Sequence, residues 1–262
     1  MVGFFGLLNT VAQAGVAISL LLCTSGVVSW CFFDKGKAVM VYSKDATNNF
    51  PLAGVVILYE SATSRQVRTV TTNSTGVARL DIGRLELPTR VTFSASLAGY
   101  REERVELDVT DNSVALSLTP VLTTSDQMRL VMNWGSKPRN LDLHTAQVDG
   151  STGTIVCETA YNKGGCKGLR LDVDNREGGH NGAETITWDD PADYIYLVFI
   201  HDYTGDAQEP LAKSQARVAF YGNNNQTDRW SVPTVDSNGG SRLGWPQTKM
   251  HPTRRNMAIF IL

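Results

Sequence analysis

Arg104-Val105-Glu106-Leu107-Asp108-Val109, followed closely by Val114-Ala115-Leu116-Ser117-Leu118, alternates apolar and polar side chains almost without a break. A β-strand points successive side chains to opposite faces, so a period of two builds one buried and one wetted surface. The same texture extends upstream through Val39-Met40-Val41-Tyr42, Val55–Tyr59, Val67–Thr72, Ala78–Ile82 and Val91–Ser96. Turn residues separate these runs, among them Asn73-Ser74-Thr75-Gly76, Leu87-Pro88 and Asp111-Asn112. About seven short β-branched runs at regular spacing, with no amphipathic helix between them, predict an antiparallel sandwich.

Downstream the pattern starts again. Met128–Trp134, Leu141–Thr145, Gly153–Cys157, Leu169–Val173, Glu184–Trp188, Tyr194–Ile200, Ala216–Tyr221 and Met257–Leu262 read as a second set of strands. Asp149-Gly150, Asn181-Gly182 and Asn238-Gly239 are tight-turn signals among them. This half is expected to be jelly-roll-like or immunoglobulin-like. Thr119 to Ser125 reads as a short linker. The fold class expected is all-β: two tandem antiparallel β-sandwich domains after an N-terminal hydrophobic helix.

That N-terminal segment, residues 1–34, is uncharged until Asp34 and strongly apolar from Val16 to Leu22. It reads either as a cleaved signal peptide or as a signal anchor. Lys35 and Lys37 follow the apolar run, and the positive-inside rule would then place the body of the chain in the cytoplasm. The cysteines and glycosylation sequons argue the other way, for a secreted or cell-surface protein. Cys157 and Cys166 flank a polar, turn-rich loop, a natural setting for a disulfide in an oxidising compartment. Asn73-Ser74-Thr75 and Asn225-Gln226-Thr227 are acceptor tripeptides for N-glycosylation. With a net charge of -2 over 262 residues and scattered basic side chains, there is no field to hold nucleic acid. Contact with a membrane is expected only through the N-terminal segment.

The order of motifs is also familiar. Pro51-Leu52-Ala53-Gly54-Val55, then Thr72-Asn73-Ser74-Thr75-Gly76, Ala98-Gly99-Tyr100 and a closing Leu116–Pro120 resemble the carboxypeptidase regulatory-like (transthyretin-like) domain over residues 36–120. Asn73 stands where that family often carries Asp. The resemblance implies an accessory sandwich without catalytic residues. Trp134-Gly135-Ser136-Lys137-Pro138-Arg139-Asn140-Leu141-Asp142-Leu143-His144 is similar to the signature of the bacterial YfaP family of secreted β-sandwiches. Later blocks at Leu171–Asn175, Gly182–Ile186 and Tyr196–Tyr203 follow in the same order, within a domain taken as 126–262. Asn140 replaces the Asp usual in that family. The resemblance implies fold and location more than activity.

Candidate chemistry gathers in the second half. Asp142, Asp172, Asp174, Asn175, Glu184 and Asp202 offer the oxygen ligands that a hard cation such as Ca2+ takes, although the spacing is not that of an EF-hand. The competing reading is an ordinary turn in which Asp and Asn cap their own backbone. His144, His180 and His201 would have to converge to form a catalytic metal site. His144, also a candidate binding residue, is expected instead to order its strand by hydrogen bonding to a neighbouring carboxylate such as Asp142 or Asp202. Trp230 and Trp245 lie in the Asn/Gly/Pro-rich stretch 222–252 and are the candidates for a binding surface, whereas Trp134 and Trp188 are expected in the core. No nucleophile elbow or phosphate-binding loop is present, since Gly239-Gly240-Ser241-Arg242-Leu243 lacks the closing glycine.

Taken together, these features predict a non-enzymatic extracellular structural or adhesion protein. Its partners would be other extracellular proteins, glycans or further copies of itself. The alternatives are a calcium-dependent glycan- or ligand-binding module and, last, a metal-dependent hydrolase.

Overall fold

The computed structural model describes residues 38–62, 66–81, 87–124, 126–189, 195–205, 208–222, 227–232 and 257–259. The expected N-terminal helix, Asn225 and Trp245 lie outside these residues. Everything described belongs to one compact unit, Lys37–Leu262.

The described chain is all-β. Seven strands come from the first half: β1 (Ala38–Asp45), β2 (Val56–Ser61), β3 (Val67–Thr71), β4 (Val77–Asp81), β5 (Thr89–Ser96), β6 (Glu103–Val109) and β7 (Ser113–Leu118). They form a sheet ordered β4-β1-β7 and a second ordered β3-β2-β5-β6. Alternation decides what lies between the sheets. Val39 and Val41 of β1, Ile57 of β2, Phe93 of β5 and Leu116 and Leu118 of β7 are buried in one apolar core.

The second half supplies β8 (Met128–Asn133), β9 (Leu141–Val148), β10 (Ile155–Thr159), β11 (Leu169–Val173), β12 (Glu184–Trp188), β13 (Ile195–Asp202), β14 (Arg217–Tyr221), β15 (Thr227–Ser231) and β16 (Met257–Ile259). Their sheets run β10-β9-β13-β16 and β11-β12-β8-β14-β15. Leu130, Met132, Leu143, Ile186, Trp188 and Phe220 fill the core of this half. Most pairings are antiparallel, as expected, but β1 pairs β7 and β13 pairs β16 in parallel. In both cases the partners are far apart in the chain, which provides the long connection that a parallel pair needs.

Alternation does not anticipate how the halves meet. Every residue of β8 and of β12 is buried. One face of each strand looks into its own core. On the opposite face of this sheet, Val131 of β8, Ala219 and Tyr221 of β14, and Ala183 just before β12 join Ala46 of the first half in a separate apolar cluster. Small side chains let the backbones approach, and hydrogen bonds seal the contact. Ser117 donates to Asn133 Oδ1 at 2.8 Å, and Thr185 donates to the Ala46 carbonyl. Asn49 clasps Ala183 twice, donating to its carbonyl and accepting from its N–H, each at 3.0 Å. The buried Glu103 carboxylate accepts from Tyr221 at 2.8 Å and from Arg229 at 2.7 Å. The stretch read as a linker starts inside this seam, where the Pro120 carbonyl accepts from Arg129 and Thr119 is buried.

Gly182 sits under the Asn49 clasp with φ of +114°, and a Cβ there would fall 2.3 Å from Asn49 Oδ1. Both the backbone and the space require glycine. Gly182→Ala is expected to cost about 1–3 kcal/mol, read as a lower midpoint in chemical denaturation. An unchanged midpoint would show that the clasp does not bind the halves together.

Candidate functional site

Four buried polar atoms without hydrogen-bond partners cluster at one edge of the second sandwich: Asp142 Oδ1, His144 Nε2, Asp174 Oδ1 and Glu184 Oε2. Buried polar groups are nearly always satisfied, so four together need a reason.

Each is positioned by its element. On β9, Leu141 and Leu143 enter the core, which turns Asp142 and His144 to the other face. Glu184 opens β12 with no exposed surface and reaches across to accept the Leu143 N–H at 2.9 Å through Oε1. Asp174 follows β11 on the loop to β12, and its Oδ2 accepts from Arg176 at 2.8 Å. That loop is held against the core at Gly178, where a Cβ would meet Trp134 Nε1 at 2.1 Å. Ligand atoms of Asp142, Asp174 and Glu184 lie within 4.8 Å of one another, as do those of Asp142, His144 and His201.

Like charges this close repel. At an effective dielectric near 20, each ionised carboxylate pair costs roughly 3–4 kcal/mol. Burial holds the Glu184 carboxyl well above its ordinary range; the Leu143 N–H opposes this, and Asp142 and Asp174 add to it. Asp142 is raised too, again chiefly by burial, with His144 pulling it down. His144 is fixed by a 2.5 Å contact between Nδ1 and Glu158 Oε1, so the carboxylate that orders it comes from the paired strand β10 rather than from Asp142 or Asp202. Burial works to raise the Glu158 carboxyl, but His144 and Lys163 outweigh it and bring it below its usual value. Holding Nδ1 on a carboxylate leaves Nε2 as the ring nitrogen without a partner, the arrangement found around metal-ligating imidazoles. The His144 ring stacks on Phe199 at 4.7 Å and meets the exposed His201 edge-on at 5.8 Å.

Three of the six predicted oxygen ligands are thus brought together. The others are engaged elsewhere. Asp172 accepts from Arg170 at 2.6 Å and from Thr187, whose hydroxyl also accepts from Arg129 at the seam between the halves. Asn175 donates to the Gly182 carbonyl and accepts from Glu177, bracing the loop. Asp202 accepts from the Gly205 N–H in a turn. His180 lies against Tyr42 with ring centroids 5.0 Å apart, so the three histidines do not converge. Asn73 occupies an exposed turn, where its Oδ1 accepts from the Thr75 and Val77 amides.

Trp230 departs from the surface role expected of it. The stretch read as loop contains β15, which sets Trp230 opposite Val218 and half-buries it on the core. Trp134 and Trp188 are buried in that core.

No family model matches the chain, and no curated protein matches it. Among solved structures, the Bacillus anthracis TIE protein is similar at 11% identity and a TM-score of 0.23. The match covers 86% of this chain, which spans 33% of that protein. BcpA*(D312A), the major pilin subunit of Bacillus cereus, is similar at 12% identity and a TM-score of 0.27, covering 76% of this chain and 69% of the pilin.

Beside the cluster, Cys157 on β10 and Cys166 are joined by a disulfide, as the spacing predicted. It closes a loop of sequence separation 9. Closing so short a loop restricts the unfolded chain by about 2–3 kcal/mol. Replacing both cysteines by serine should lower Tm by roughly 5–10 °C for a unit of this size. A Tm within a degree of the parent's would mean the bond adds nothing to stability.

Proposed function

We propose that this is a non-enzymatic structural protein of the cell exterior, in which two β-sandwiches are joined as one unit and present their loops and sheet edges to partners. The observation that carries this reading is the seam itself: β8 and β12 are covered on both faces, which supports two sandwiches packed as one unit with their loops and edges turned outward. The disulfide is in keeping with an oxidising compartment. The resemblances to accessory sandwiches and to secreted YfaP-like domains point the same way.

Edge strands supply the attachment surface. β10 ends the four-stranded sheet of the second half and exposes Ile155 and Val156. Val67 on the edge strand β3 is 61% exposed. Apolar side chains on an unpaired edge favour strand-by-strand association with another protein or a second copy.

Intact source cells treated with an added protease and with a membrane-impermeant thiol reagent test the location. The expected result is loss of the chain from intact cells, with Cys157 and Cys166 unlabelled until reductant is added. A chain protected until lysis, with both thiols already reduced, would contradict the reading.

A further inference from the structure

We propose that Asp142, Asp174 and Glu184 form a binding site for one hard divalent cation, with calcium the ion their chemistry fits. This inference does not depend on where the protein acts. Three carboxylates from β9, the β11–β12 loop and the start of β12 converge within 4.8 Å, and each retains one oxygen without a partner. Glu184 has no exposed surface, and its second oxygen meets no protein donor.

The separation is one that a single bound ion can span. Oxygens bound to one calcium at 2.3–2.6 Å stand at most about 5 Å apart. The basic side chains nearby meet other atoms than these partnerless oxygens: Arg176 pairs with Asp174 Oδ2, His201 Nδ1 stands 3.8 Å from Asp142 Oδ2, Arg170 pairs with Asp172 and Asp189, and Arg139 with Glu177. Oxygen-only donors select calcium, magnesium or manganese over softer ions, and calcium tolerates an irregular shell completed by water and backbone carbonyls. In this arrangement the ion ties the Asp174 loop to both β9 and β12.

The neighbouring Asp142, His144 and His201 group is the competitor, since imidazole suits zinc. The test therefore uses both metals. The chelator-stripped full chain is titrated calorimetrically with calcium chloride and with zinc chloride, and its melting is followed with each. The expected result is one calcium per chain and a higher Tm with calcium. Glu184→Gln, which keeps the acceptor for the Leu143 amide, and Asp174→Asn, on the loop, should each weaken calcium at least about tenfold. Asp172→Asn should not. Should Glu184→Gln fail to fold, Asp174→Asn alone decides. The proposal is overturned if the folded, stripped protein neither binds calcium nor melts higher with it. It is equally overturned if only zinc binds, with an affinity that both carboxylate variants leave unchanged.

Discussion

Two inner strands with both faces dry are the constraint on which this molecule depends. β8 and β12 have no wetted side, and each alternate residue must satisfy a different environment. Even-numbered positions such as Leu130, Met132, Ile186 and Trp188 fill the second core. Odd-numbered ones, Arg129, Val131, Asn133, Thr185 and Thr187, face the first half or the network leading to it. The polar members of that second set are buried and therefore need partners, which the first half and its linker provide for Arg129, Asn133 and Thr185. Separating the halves would leave them unsatisfied, so the seam is specific as well as apolar.

The same constraint reaches the acidic cluster. β12 carries Glu184 toward β9 and, one residue later, Thr185 into the seam. Thr187 links Arg129 at the seam to Asp172, which withdraws Asp172 from the cluster. The loop between β11 and β12 is tied at its middle, where the Gly179 N–H donates to the Trp134 carbonyl, and at its end, where Asn49 clasps Ala183. The position of Asp174 is thus set partly by the first half of the chain.

Much of this was legible in the residues. Period-two alternation in Arg104–Val109 and Val114–Leu118 predicts strands, and the observed β6 and β7 cover them. The short Cys157–Cys166 loop predicts its disulfide. Less legible was whether the polar face of a strand is wet. Thr185 and Thr187 in Glu-Thr-Ile-Thr-Trp look like solvent positions, and only the packing of a distant segment on them shows otherwise. Small residues such as Ala46 and Ala219 carry the seam without any signal in local pattern. β15 escaped notice because Trp230 is its one large apolar side chain, in a stretch dominated by turn formers. In the acidic cluster, composition marked the region, but only three-dimensional pairing could separate the three converging carboxylates from Asp172, Asn175 and Asp202.

Calorimetric unfolding of the purified chain addresses the seam most directly. If the two sandwiches share a buried sheet face, they melt in one transition, with the calorimetric and van't Hoff enthalpies equal. Two resolved transitions, one for each half, would contradict the account.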